Sequence, residues 1–362
     1  MGDIFAIFIP AVLITLCMKM YYKKEITDKE ALLSLAVNFA ISLVFLGIIT
    51  ASQYIKMADS QILSGVVSSK KRQEVSCEHS YSCRCRQSCS GSGKNRSCSQ
   101  VCDTCYDHSY DVDWNVYTSL SNFTISREDR RGLTEPSRWS SVVVGEYVAE
   151  RFSYQNPLLA DEKTLFVELP ETMKDKQFPA YPSVYDYWKI NRVIGIPAPL
   201  GAEISVYLNE TLKQIGARKQ LNIVVVGMYN TTPDHFNGLM ASWRGGKKND
   251  VILVYGLSPD NTIQWFKSNS YAMGMGNKEL HYRLAANATT KPLTMDHIKE
   301  QVSLIEKHFV RLSTEELKFK ALAIDTPLWA IVLLTFINAI ASILLGAYMK
   351  QTDLFTTRHR RW

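Results

Sequence analysis

Three long stretches without a charged side chain constrain this chain more than any other feature: Ile4–Met18, Ala31–Ile55 and Thr326–Met349. A helix needs about 20 apolar residues to cross the hydrocarbon core of a bilayer, because each residue rises only about 1.5 Å. The second and third stretches reach that length. The first reaches it only if Lys19 extends its ammonium outward, leaving Met20, Tyr21 and Tyr22 at the interface. A signal peptide is the competing reading of the first stretch, but Asp3 stands where a basic start is usual and no small-residue cleavage pattern follows. Pro10 within it is better tolerated in a spanning helix than in a soluble one. A buried core helix is the competing reading of the third, and its apolar character on every face argues against that. The sequence therefore predicts three transmembrane helices, two in residues 1–56 and one in 326–362, with a water-soluble region between them.

Basic residues beside the stretches orient them. Lys19, Lys23, Lys24 and Lys29 lie between the first two; Lys350, Arg358, Arg360 and Arg361 follow the third. The positive-inside rule keeps both groups in the cytoplasm, so a multi-pass protein results whose soluble domain faces the periplasm or the exterior and whose C-terminal tail is cytoplasmic. Lys56 and the Lys70, Lys71, Arg72 cluster pull weakly the other way. Asn38 and Asn338 sit inside the second and third stretches. With Ser342 and Gly346 spaced four apart, they suggest helices packed on one another, although single polar residues also occur in spans that have no such partner.

Seven of the eight cysteines fall between Cys77 and Cys105; the eighth, Cys17, lies in the first apolar stretch and reads as inert packing. Within segment 57–110 the pattern is Cys77-x-His79, Cys83-x-Cys85-x3-Cys89, then Cys98-x3-Cys102-x2-Cys105-x2-His108, with the turn-rich Ser90–Asn95 between the clusters. No hydrophobic pattern here can build a core, so cross-links must hold the segment. Structural zinc is one reading: short spacings place two thiolates on one tetrahedral metal, and seven cysteines plus His108 supply eight ligands, enough for two closed sites. Disulfides are the other, favoured by the exterior location, with one thiol left unpaired. Composition favours metal and topology favours disulfides, and both readings stand. A redox-active thiol pair is less favoured, because the cysteines are so crowded. Lys70, Lys71, Arg72, Arg84, Arg86, Lys94 and Arg96 face only Glu74 and Glu78. In the cytoplasm that balance would suggest nucleic acid. Outside the membrane it suits anionic headgroups or an envelope component, so no nucleic-acid partner is expected.

Residues 111–196 are rich in β-formers and turns. Asp111–Tyr117 alternates as a half-buried strand should, and Ser141–Gly145 and Thr164–Glu168 are further strand candidates. No catalytic constellation stands out, and the seven histidines are scattered.

Residues 197–325 become regular. Ile204, Leu208, Leu212 and Ile215 fall at helical spacing; Asn222–Met228 and Asp250–Leu257 are continuous apolar runs, as buried strands are. A helix over Asp234–Trp243 lies between them. After the Ser258–Asn261 turn, Thr262–Phe266 predicts an antiparallel neighbour. Asn277–Ala286 predicts a short helix. Ile298, Val302, Ile305, Phe309 and Leu312 make the stripe of a last helix N-capped by Thr294. The fold class is an α+β membrane protein with a Cys-rich, β-rich subdomain and an α/β module carrying a mixed sheet.

The sharpest motif runs Trp243-Arg-Gly245-Gly246-Lys247-Lys248-Asn249-Asp250. A phosphate loop follows a strand and opens a helix; this segment follows a helix and opens a strand, so nucleotide binding is rejected. A helix C-cap at Gly245 or Gly246, with the lysines near the last carbonyls, explains the glycines. It explains less well why Trp243, Lys247, Lys248 and Asp250 crowd one connection.

The order helix, Asn222–Met228 strand, helix, Gly245–Asp250 connection and two further strands resembles the TPM domain over roughly Pro197–Leu312. Together with Cys102-Asp-Thr-Cys105-Tyr-Asp-His108 it resembles, more widely, membrane proteins of bacteriophages and bacteria that join such a domain to a Cys-rich segment. The resemblance implies a membrane-tethered, extracytoplasmic domain. Some TPM domains hydrolyse phosphate esters or bind calcium, and others serve as assembly or quality-control factors. Calcium needs several converging oxygens; Asp234, Asp250 and Asp260 are the nearby candidates, with no dense acidic loop. The expected function is a non-enzymatic envelope protein, of phage origin if the wider resemblance holds. It sits in the bilayer, binds a membrane or envelope protein partner, and is compatible with a homo-oligomer. The alternative is a membrane-bound acid phosphatase using Asp250 with Lys247 and Lys248. A zinc-bearing module is the third reading, should the domain be cytoplasmic.

Overall fold

A computed structural model describes residues 2–22, 25–90, 97–156, 159, 169, 171–271, 277–288, 291–313, 315 and 328–352. The expected strand Thr164–Glu168, most of the Ser90–Asn95 turn, and Lys23, Lys24, Lys94, Arg96, Arg358, Arg360 and Arg361 lie outside those residues.

In chain order the elements begin with the helices α1 (Gly2–Tyr21) and α2 (Asp28–Lys56). Strands β1 (Ala58–Val75), β2 (Ser80–Ser90), β3 (Ser97–Tyr106), β4 (Asp111–Thr118) and β5 (Asn122–Ile125) follow. After a single turn, α3 (Ser137–Ser140), come β6 (Tyr147–Gln155), β7 (Val184–Tyr185), β8 (Lys189–Ile190) and β9 (Val193–Ile194). Then α4 (Leu200–Lys219), β10 (Asn222–Tyr229), α5 (Asp234–Ser242), β11 (Asp250–Leu257) and β12 (Ile263–Ser270) alternate. Helices α6 (Lys278–Ala288), α7 (Met295–His308) and α8 (Leu328–Gln351) complete the order. The chain divides into two compact units, Met1–Asp59 with Tyr154–Leu165 and Ser313–Trp362, and Ser60–Ser153 with Phe166–Leu312.

In the first unit, α2 and α8 are long and apolar enough to cross a bilayer. The first expected span, over Ile4–Met18, is not among them. Helix α1 runs Gly2–Tyr21, and its apolar stretch among the described residues is Phe8–Tyr21. Lys19 pairs with Asp28. Cys17, expected to be packed, lies exposed on α1. The amides within these two apolar helices do find partners: Asn38 Nδ2 donates to Ser342 Oγ at 3.0 Å and Asn338 Nδ2 to Ser42 Oγ at 2.9 Å, a reciprocal pair of buried cross-links between α2 and α8. Gly346 has Met18 against it, and an added Cβ would meet Met18 Cε at 2.6 Å. A capping box closes the start of α2, where Thr27 N donates to Glu30 Oε2 at 2.8 Å and Glu30 N to Thr27 Oγ1 at 3.3 Å. Replacing Asn338 by leucine is expected to weaken the α2–α8 pairing by about 0.5–2 kcal/mol, read as an earlier midpoint in detergent-denaturant titration. An unchanged midpoint would mean that shape alone holds the pair.

Among the described residues the second unit holds two four-stranded sheets, ordered β5-β4-β1-β6 and β12-β11-β10-β9, and the two-stranded ribbons β2-β3 and β7-β8. In the first sheet Val112, Trp114 and Val116 alternate inward along β4, as expected, and meet Val67, Ile125, Val148 and Trp188. β1 belongs to this sheet although it lies in the 57–110 segment, so the boundary at residue 110 runs through a sheet. The expected strand Ser141–Gly145 is instead a turn after α3. Val142 N donates to Trp139 O, Gly145 takes a positive φ of +88°, and the strand starts only at Tyr147.

The second sheet is mixed, as expected: β10 runs parallel to β9 and β11, and β12 is antiparallel to β11. Ile223, Val225, Val251 and Leu253 pack on one face against the buried stripes of α4, α6 and α7. Val224, Val226, Ile252 and Val254 pack on the other against Phe236, Leu239 and Met240 of α5. Cover on both faces is why β10 and β11 read as continuous apolar runs. Thr294 Oγ1 caps α7 by accepting from His297 N at 3.2 Å. Helix α7 ends at His308, and Phe309 and Leu312 stay buried beyond it.

Candidate functional site

The cysteines resolve in favour of disulfides. β2 and β3 pair antiparallel with Cys89 directly opposite Cys98, and the bonds are Cys83–Cys105, Cys85–Cys102 and Cys89–Cys98. The eight-ligand, two-zinc reading therefore falls, since six of its thiols are spent. Most side chains of β2 face solvent. A lone two-stranded ribbon is marginal in water, so the three nested bonds supply what a core would.

Cys77 remains, buried and unpaired. Its Sγ stands 3.0 Å from His108 Nδ1, and His108 Nε2 is 3.3 Å from Asp111 Oδ1. Asp111, the first residue of β4, is fully buried. Its Oδ2 accepts from Glu78 N at 3.0 Å, Arg127 at 3.3 Å and Arg130 at 2.7 Å. Burial pushes this carboxyl up, but the Glu78 N–H and the two guanidiniums outweigh it and hold it at about 2.

The Trp243–Asp250 segment forms a second polar centre. Arg244, Gly245 and Gly246 all take positive φ, and Gly245 N closes the end of α5 on Met240 O at 2.8 Å, so the expected C-cap is present. An added Cβ at Gly246 would come within 2.6 Å of Ile252 Cδ1 and 3.1 Å of Asp250 Oδ2. The turn then drives its polar residues inward. Asp250, fully buried, accepts from Tyr181 Oη at 2.9 Å, Asn222 Nδ2 at 2.7 Å and Lys247 N at 2.7 Å. Burial pushes its carboxyl up to about 6 against the opposing pull of Asn222, the Lys247 N–H, Tyr181 and the Lys247 charge. Asn249 Nδ2 donates to Ile62 O of β1 at 2.6 Å. Lys248 is buried, Trp243 donates to Pro179 O at 2.7 Å, and Lys247 Nζ lies 5.8 Å from the Tyr181 ring centre.

Behind Asn222 the network continues. Arg192, with no exposed surface, donates to Asn222 Oδ1 at 2.7 Å, Asn209 Oδ1 at 3.1 Å and Ser64 Oγ at 3.0 Å, and lies over the Tyr147 ring. Arg192 and Asp250 are thus opposite charges joined through one amide. This explains why so many polar residues crowd one connection: they plug the amino ends of β10 and β11, where Asn222 pairs with Asp250. Ligands in open α/β sheets collect at the carboxyl ends. Asp260 sits past that far end of β11 and Asp234 opens α5, so the three carboxylates considered for calcium are not gathered around one point.

Sequence reasoning missed Tyr181, Arg192, Asn222 and Asp111 as members of these centres. Asn222 carried a signal, a polar residue opening an apolar strand; Tyr181 and Arg192 carried none. Comparison with known proteins returns no matching family model, no similar curated protein and no similar solved structure.

Proposed function

We propose that the chain is a non-enzymatic, membrane-anchored protein whose disulfide-stapled domain lies on the oxidising side of the membrane and binds a membrane or envelope protein partner. The observation that carries this reading is the hairpin with its three disulfides, in a chain with apolar helices α2 and α8 on either side of it. Disulfides persist in oxidising compartments and are rare in the cytosol. The order α4, β10, α5, β11, β12 agrees with the TPM resemblance, which we retain as part of the proposal. Asp250, buried and held by three donors, offers no carboxylate edge to a phosphate ester, which favours binding over catalysis. A cleft of about 440 Å³ lined by Tyr147, Tyr185, Trp188, Val206, Asn209 and Glu210 offers a partner both aromatic surface and polar groups.

Trypsin added to intact spheroplasts is expected to digest the soluble region and to spare a tag placed after Trp362. A protected domain would sink the reading. Purified full-length protein is expected to hydrolyse no phosphate ester above the Asp250→Asn background; hydrolysis lost in that variant would favour the phosphatase alternative.

A further inference from the structure

The disulfides form a ladder up the β2–β3 ribbon, and the ladder has one more rung position. Beyond the pair Ser80 and Tyr106 the chain continues to Cys77 on one side and His108 on the other, beside Asp111 at the start of β4. A disulfide cannot close this base, because only one cysteine is there. We infer that Cys77, His108 and Asp111 bind one divalent transition-metal ion of the zinc class, which cross-links the base of the hairpin and leaves a fourth coordination position to water.

Three observations carry the inference. The thiol, an imidazole nitrogen and a carboxylate oxygen all lie within 4.8 Å of one another. Cys77 is buried and unpaired while the six cysteines of the ribbon are bonded. Asp111 Oδ1 is buried and, among the described residues, accepts no hydrogen bond, with His108 Nε2 standing 3.3 Å away, although Oδ2 takes three. A buried carboxylate oxygen ordinarily has a partner, and here the remaining direction points at the imidazole and the thiol. Arg127, Arg130 and the Glu78 N–H hold Oδ2 and so aim Oδ1, as outer-shell groups do for ligating carboxylates.

The donor set selects the ion. Thiolate with imidazole suits zinc and its neighbours, whereas calcium and magnesium take oxygen ligands. Bonds of about 2.0–2.3 Å at tetrahedral angles separate ligand atoms by about 3.3–3.5 Å. The three ligand atoms lie within 4.8 Å of one another, wider than that spacing, because Sγ stands 3.0 Å from Nδ1 while Oδ1 stands 3.3 Å from the opposite nitrogen, Nε2. Turning the imidazole to offer one nitrogen completes the set.

The test uses the full chain in detergent, loaded with zinc, dialysed, and measured for metal and free thiols. One zinc per chain is expected, with Cys17 alone titrating until a chelator releases Cys77. In Cys77→Ser and His108→Gln, zinc affinity should fall at least about tenfold, with the three disulfides intact by mass as the check on folding. Cobalt substituted into the wild-type protein should show thiolate-to-metal charge-transfer absorption. Two thiols titrating in zinc-loaded protein, zinc held equally by Cys77→Ser, or a cobalt spectrum without that absorption would each overturn the site. None of these results bears on the proposed topology, which spheroplast digestion reads separately.

Discussion

Asp250→Ala is expected to destabilise the second unit by about 3–5 kcal/mol, measured as a lower denaturant midpoint. The substitution strands the Tyr181 hydroxyl, the Asn222 amide and the Lys247 N–H, and removes the carboxylate that Arg192 faces through Asn222. Asp250→Asn keeps the shape and separates charge from volume. The folded carboxyl titrates at about 6, above the ordinary aspartate value. Between about pH 4 and 6 the folded state therefore binds the proton that the unfolded chain has lost. This group's contribution is fully present below that window and is lost as pH rises through it, by roughly 3 kcal/mol. Buried His281 and His297, both pushed down to about 4 by burial, act the opposite way, lowering stability as pH falls. The difference between wild type and Asp250→Asn isolates the aspartate: the variant should gain on the wild type as pH rises from 4 to 7. A constant difference across that range would mean that Asp250 is ionised throughout.

Reduction of the disulfides should have a larger effect on local order than on the core. The loops closed by Cys83–Cys105, Cys85–Cys102 and Cys89–Cys98 span 22, 17 and 9 residues and are nested. Losing such a bond from a small stapled element typically removes 2–5 kcal/mol, more than a two-stranded ribbon holds in reserve. Arg84 and Arg86 lie on that ribbon. Trypsin should cut there at least tenfold faster after reduction, by peptide mapping, while the midpoint of the two sheets stays nearly fixed. Rapid cleavage before reduction would mean that the staples do not order the ribbon.

The division between what was legible and what was not follows the range of each interaction. Periodicity is local, so the stripe Ile204, Leu208, Leu212, Ile215 and the cap at Thr294 could be read directly, and the stretches Ala31–Ile55 and Thr326–Met349 announced α2 and α8. The mixed sheet followed from apolar runs interleaved with helices. Local signals misled where a turn competed with propensity: three valines at 142–144 suggest a strand, but the bond from Val142 N to Trp139 O and the positive φ of Gly145 make a turn. Spacing also could not choose between zinc and disulfides, because both bring thiols close; only the β2–β3 register, which sets Cys89 opposite Cys98, decided it. The partners of Asp250 come from 28 and 69 residues away and those of Arg192 from up to 128. By itself, then, the sequence determined the long apolar helices, the covered faces and the supply of thiols. The tertiary structure decided which thiol stays unpaired beside His108 and Asp111, and that the Gly-Gly-Lys-Lys-Asn-Asp turn feeds a buried network, because burial and pairing depend on neighbours that only folding brings together.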